Sequence, residues 1–165
     1  MRKALMIAAG VIALAAVNWS IHARETLLRD GRVVLLELAP VDPRSLMQGD
    51  YMALRFKVAD DAFGRNARGE RPDGYLVVRH GDDGIAAFVR VDDASPLAAD
   101  ELRLRYRWRA GGPKFATNAY FFEEGTVKTY ASAKYGEFRV GPDGESILTG
   151  LRDAARRPLG DAAAK

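Results

Sequence analysis

The stretch "GYLVVRHGDDGIAAFVRV" (Gly74–Val91) reads as a β-hairpin. Two β-rich runs, Tyr75 to His80 and Ile85 to Val91, flank Gly81-Asp82-Asp83-Gly84, residues that reverse a chain at low steric cost. "EFRVGPDGESILTGL" (Glu137–Leu151) repeats the arrangement around Gly141-Pro142-Asp143-Gly144. Other segments carry the same period of two. "RVVLLELAPV" (Arg32–Val41) reads as a buried strand, and "YMALRFKV" (Tyr51–Val58) puts Met52, Leu54, Phe56 and Val58 on one face. "ELRLRYRWR" (Glu101–Arg109) sets Leu102, Leu104, Tyr106 and Trp108 against Arg103, Arg105, Arg107 and Arg109. "KFATNAYFFE" (Lys114–Glu123) reads as a further strand, and "EGTVKTYASAKYG" (Glu124–Gly136) as a short helix between two glycines. Seven or so strands with one or two short helices define an α+β, mainly β fold, a small antiparallel β barrel or sandwich.

The remaining segments are a long apolar N-terminus, one irregular stretch and a tail. "ADDAFGRNARGERPDG" (Ala59–Gly74) reads as a long loop, and residues 156–165 as a flexible tail. At the start, Arg2 and Lys3 precede an apolar run from Ala4 to Val17, followed by Asn18, Trp19 and Ile21. Residues 4–21 form a helix roughly 27 Å long at 1.5 Å per residue, just enough to cross a hydrocarbon core of about 30 Å. Cations ahead of the run predict a cytoplasmic N-terminus, an inner-membrane single pass and a domain in the periplasm or outside the cell, with Trp19 at the far interface. A cleaved signal peptide is the rival, but "IHA" (Ile21–Ala23) is an awkward cleavage site, so the expectation is an uncleaved signal-anchor. The resulting organisation is an anchor at 1–23, a β-rich extracytoplasmic domain at 24–155 and the tail.

Composition narrows the chemistry. There is no cysteine among the 165 residues, so no disulfide framework, thiol nucleophile or thiolate metal site can exist. The net charge of +3 falls to about +1 once Arg2 and Lys3 are set aside, so no nucleic-acid footprint is expected. His22 and His80 are the only histidines and lie far apart in sequence, which leaves no case for a histidine triad or metal centre. Asp82-Asp83 and Asp92-Asp93 lack the spacing of a calcium loop and read as turn residues. No cofactor or metal is expected. The arginine row at 103–109 reads as a solvated face, or else as a docking surface for anionic headgroups or an acidic partner.

The stretch "DPRSLMQGDYMALRF" (Asp42–Phe56) has the richest chemistry. Its run Gly49-Asp50-Tyr51-Met52-Ala53-Leu54-Arg55-Phe56 resembles the signature of the bacterial GDYXXLXY family, a group of uncharacterised membrane-anchored proteins. "YFFEEGTVKTYASAKYGEFRVGPDGESILTGLRD" (Tyr120–Asp153) resembles that family's C-terminal half, and the similarity runs from about Val33 to Asp153. The resemblance implies an N-terminal anchor and an extracytoplasmic domain, with no established activity. The last signature position departs from the family in being Phe56 rather than tyrosine, which assigns it to aromatic packing. Read residue by residue, Asp42-Pro43 starts a short helix and Gly49 ends it, after which Asp50 opens a strand. The candidate binding residues are Arg44, Asp50, Tyr51 and Glu124; Gly49, Leu54 and Phe56 complete the motif.

Two functions of different class follow. One is a non-enzymatic binding or accessory module, tethered in the lipid bilayer through residues 4–21 and facing a polytopic membrane protein. The alternative is a membrane-anchored serine hydrolase distantly like a signal peptidase, with Ser45 as nucleophile and Lys57 as base. The spacing disfavours it, because Ser45 lies only four residues before Gly49 and Lys57 falls on the polar face of the expected strand.

Overall fold

The computed structural model describes residues 2–39, 47–48, 51–65, 67, 69–109, 112–117, 119–123 and 126–160. Helix α1 (Arg2–Asp30) is unbroken and exposed along its apolar length, with Met6, Val11, Leu14 and Trp19 all open to the surroundings. Its segment Met6–Asp30 is long and apolar enough, by length and composition, to cross a membrane. Gly31 ends the helix, and its N–H donates to the carbonyl of Leu27 at 3.0 Å.

Among the described residues, ten strands in three antiparallel sheets follow, with two short helices, a mainly β arrangement with some α. β1 (Arg32–Glu37), β9 (Tyr135–Val140) and β10 (Ser146–Arg152) form the first sheet, with β9 in the centre. The second, in the order β5-β4-β6-β7, contains β4 (Gly74–His80), β5 (Ala86–Val91), β6 (Glu101–Arg109) and β7 (Gly112–Lys114). The third is small and joins β2 (Met47–Gln48), β3 (Tyr51–Ala53) and β8 (Ala119–Phe121).

The two hairpin turns are built alike. In each, the N–H of the first glycine donates across the turn at 2.9 Å, Gly81 to Ile85 and Gly141 to Glu145. In each, the aspartate before the last glycine accepts the N–H two residues on at 3.1 Å, Asp83 from Ile85 and Asp143 from Glu145. The closing glycines, Gly84 and Gly144, take φ values of +82° and +79°, a conformation that penalises any side chain. The carbonyl each turn leaves over binds the other sheet. Gly84 accepts the N–H of Leu35 in β1, and Gly144 accepts the N–H of Arg105 in β6, both at 2.9 Å. Each large sheet therefore extends its turn onto a strand of its neighbour.

Between them lies a core of Val34, Leu36, Leu76, Val78, Leu104, Phe138 and Leu151, none exposed by more than a trace. Phe56 is at its centre, with ring centroids 5.3 Å from Phe138 and 6.0 Å from Phe115, both edge-on. Opposite it Gly136 leaves no room for a methyl group, since a Cβ there would meet Phe56 at 3.0 Å and Phe138 at 3.1 Å.

Several expectations are corrected. The signature strand stops at Ala53, and Lys57, expected on its polar face, opens helix α2 (Lys57–Phe63). Val58, Ala59, Ala62 and Phe63 have the spacing of a helix face, and burying them together outweighs the short alternation that preceded them. The first five residues of the expected loop 59–74 are accordingly helical, and Gly69 and Arg71 further along it are held by contacts. Arg71 is stacked over Phe63 and Trp108 at 5.5 and 5.4 Å, and the indole N–H of Trp108 donates to the Gly69 carbonyl at 2.6 Å. Met47 and Gln48, expected in a helical turn, are strand residues paired with Met52 and Tyr51. The run 114–123 is interrupted where Phe115 turns into the core and Ala116 takes φ +49°. The C-terminal segment is packed as far as residue 160, with Pro158 bridged to Arg152 and the Leu159 N–H bound to the Leu151 carbonyl. Helix α3 is short, Val127–Tyr130.

The turn geometry makes a sharp comparison. Gly144→Ala combines a positive φ with a methyl 3.0 Å from Tyr75 and 3.2 Å from the Arg103 carbonyl, whereas Gly64→Ala at φ +83° meets nothing within 4 Å. Chemical denaturation should find Gly144→Ala less stable than Gly64→Ala by about 1–3 kcal/mol. Equal losses would remove the inter-sheet turn as a special constraint.

Candidate functional site

The signature divides into a buried end and a surface end. Leu54 and Phe56 are 5% and 1% exposed and belong wholly to the core. At the surface end β3 pairs with β8, Tyr51 opposite Phe121, Met52 opposite Tyr120 and Ala53 opposite Ala119. Alternation across this pair sends Met52 inward, 4% exposed, and leaves Phe121 outward at 74%. Outside α1 it is the most exposed large apolar side chain among the described residues. The sequence motif alone did not identify it. The period of two in Ala119-Tyr120-Phe121-Phe122 was the available signal, and it needed the register with β3 to say which aromatic pointed out.

Around Phe121 the chain builds an aromatic corner. Tyr130 of α3 is stacked on Phe122 at 5.3 Å and tilted against Tyr120 at 5.2 Å. The backbone at Gly160, φ +65°, lies so close to the Tyr130 ring that no side chain fits between them. The Thr126 hydroxyl donates to the Glu123 carbonyl at 2.6 Å, which ties α3 to the end of β8. A cleft of about 480 Å³ opens here, bordered by the three aromatics from Tyr120 to Phe122, by Glu123 and by Tyr130. Of the residues chosen from sequence, Tyr51 is at this corner by its pairing with Phe121. Arg44, Gly49, Asp50 and Glu124 lie outside the described residues, as does Ser45.

Lys57 has the wrong electrostatics for a general base. Its ammonium is 2.6 Å from Asp61, one helical turn on, and that hydrogen bond raises its pKa above the ordinary lysine value. A lysine base needs the opposite shift. Among the described residues no group of three or more histidine, aspartate and glutamate side chains could hold a metal.

The arginine row, expected as a solvated face, is a ladder of ion pairs. Arg103 donates to Asp92 at 2.8 Å, and Arg109 grips both oxygens of Asp73 at 2.7 and 2.9 Å. Arg105 and Arg107 share the single carboxylate of Glu145, carried on the turn between β9 and β10. At the other end of β6, Glu101 accepts from Arg90 at 3.0 Å and from the Ala98 N–H at 3.2 Å. These bonds, Arg90 foremost, hold its pKa below the ordinary value.

An apolar helix ahead of antiparallel sheets interlocked by their turns defines a class of helix-led β protein. The GDYXXLXY protein family model matches residues 13–151, and the chain belongs to that family. No curated protein and no solved structure matches it.

Because its folded pKa is depressed, Glu101 adds stability that is complete above the ordinary value of 4.5 and fades as pH falls through the lower folded value. Thermal melts between pH 7 and pH 3 should show a shallower acid-side loss for Glu101→Gln than for the parent chain. Parallel acid limbs would rule out this linkage.

Proposed function

We propose that this chain is a non-enzymatic accessory module, tethered by residues 4–21 and docking through its aromatic corner onto a polytopic membrane protein in the same bilayer. The observation that carries the reading is the solvent-exposed Phe121 ring, 74% open, standing across from signature residue Tyr51 on an edge strand. An exposed aromatic anchor beside a cleft is what protein interfaces use at their centre. Arg44, Asp50 and Glu124 are kept as proposed binding residues on their nearness in sequence to Tyr51 and Phe121.

The tether favours a partner in the membrane. Confinement to one bilayer raises the effective concentration of two proteins, so a small apolar contact suffices where it would fail in solution. Arg2 and Lys3 ahead of the apolar run support a cytoplasmic N-terminus with the β module exported, in the periplasm of a two-membrane cell. Alkaline phosphatase fused after Lys165 should be active in intact cells; an inactive fusion would reverse the assigned orientation.

The docking reading is tested with a photo-crosslinking amino acid at position 121 in native membranes. One dominant adduct with an integral membrane protein is expected, and Phe121→Ala should weaken co-purification of that protein about tenfold or more while leaving the melting curve unchanged. A folded, membrane-held chain that yields no adduct would overturn the proposal.

A further inference from the structure

Strand β6 carries its arginines at every second position on its open face, and the short strand β7 folds back beside Arg107, Trp108 and Arg109. Lys114 is directly opposite Arg107 in that antiparallel register. Residues paired in this way share a face, with Cβ atoms about 4.5–5.5 Å apart, and like charges so placed repel. A carboxylate at either position would have turned that repulsion into an ion pair.

The two strands border a cleft of about 530 Å³, within the range of roughly 300–1,000 Å³ that holds small molecules. Four cations meet there, Arg105, Arg107, Arg109 and Lys114, against two carboxylates, Asp73 and Glu145. Both carboxylates are committed. Arg109 grips Asp73 through both oxygens, and Glu145 is divided between Arg105 and Arg107, lying 3.3 Å from the latter. Half of the Arg107 side chain remains open to solvent. Lys114 is half-buried, yet among the described residues it has no ion-pair partner. Four cations against two carboxylates leave a surplus of two positive charges, centred on the cross-strand pair Arg107 and Lys114.

The surplus does not extend toward the helix. A neighbouring groove between α1 and the β9–β10 turn shares Arg107 and Glu145 with the cleft, but there Asp30 and Asp143 stand with Glu145 against Arg107 and Arg24.

The donors of the cleft are held in place. The Arg105 N–H is bonded to the Gly144 carbonyl at 2.9 Å, which fixes β6 against the turn that carries Glu145, and Asp73 also accepts the Trp108 N–H at 2.8 Å. An anion entering the cleft meets guanidiniums already oriented, so little side-chain entropy is lost on binding. Guanidinium forks suit the oxygen edges of a phosphate, and an ammonium adds a point charge. A phosphate monoester carries about −1.5 to −2 charges at pH 7, which matches the surplus, whereas a carboxylate or chloride would leave half of it. Only Ala116 among the described lining residues is apolar, which leaves no track for an acyl chain.

We infer that the β6–β7 cleft binds one phosphate group of a water-soluble molecule, held by Arg107 and Lys114 at its centre with Arg105 and Arg109 on either side. The cleft shares no described residue with the aromatic corner, so the two sites fail or succeed separately.

The test titrates the full chain, held in phosphatidylcholine nanodiscs, with inorganic phosphate by isothermal titration calorimetry, sodium chloride being adjusted to keep the ionic strength constant. One phosphate per chain is expected, and Lys114→Gln and Arg107→Gln should each raise its Kd about tenfold or more. Arg79→Gln, at the far end of the same sheet, should leave it unchanged. In phosphate-free buffer Lys114→Gln should melt no lower than the parent, because it relieves the repulsion. Lys114→Glu, which supplies the missing anion from within, should melt higher and bind no phosphate. A parent chain that gives no heat beyond that of chloride would overturn the inference, as would a Kd unmoved by both glutamine variants. Nanodiscs containing phosphatidylglycerol test the source: unchanged phosphate affinity supports a soluble ligand, and lost affinity would assign the cleft to a lipid headgroup and overturn the inference.

Discussion

Two backbone hydrogen bonds, Leu35 to the Gly84 carbonyl and Arg105 to the Gly144 carbonyl, set the relation of the two large sheets. They are individually ordinary, each worth about 1 kcal/mol net. Their position gives them weight. Each comes from the left-handed glycine of a turn that belongs to one sheet, and each ends on a strand of the other. Sliding either sheet by a residue would leave both carbonyls without these partners. The same clasp carries Glu145 to Arg105 and Arg107 and puts Pro142 beside helix α1, so the groove between helix and turn is a by-product of how the sheets are joined.

The signature strand is the second organising element, and its two ends do different work. Leu54 and Phe56 fill the core, where Phe56 fits between Phe115, Phe138 and the bare backbone of Gly136. No polar atom is needed there, which accounts for a phenylalanine at a position the family pattern writes as tyrosine. The surface end pairs with β8 and brings an aromatic cluster to the domain's edge. Packing at one end thus fixes the register that leaves the Phe121 ring exposed at the other.

Much of the fold was legible in local pattern. Both hairpins, the alternating strand at 101–109 and the helix stop at Gly31 agree with the sequence reading, because turn glycines, a period of two and a long apolar run are properties of neighbouring residues. The misreadings share a cause. Val58 continued the alternation of β3 and also began a helix face, and only the burial of Ala59, Ala62 and Phe63 beside it chose the helix. The arginine row appeared bare because its partners, Asp73, Asp92 and Glu145, come from other strands and turns. Phe121 was one aromatic among three until its register with β3 turned it outward.

By itself the sequence determined the family, the apolar leading helix, the antiparallel class and the absence of thiol chemistry. Each of these depends on composition or on spacings within a dozen residues. Tertiary structure alone decided which aromatic was left in solvent, which cations were neutralised and where the helix met the sheets. Those are outcomes of contacts between different elements, Arg109 with Asp73 at 36 residues' separation and Arg105 with Glu145 at 40 among them, and no local periodicity encodes which side chain a distant turn will reach.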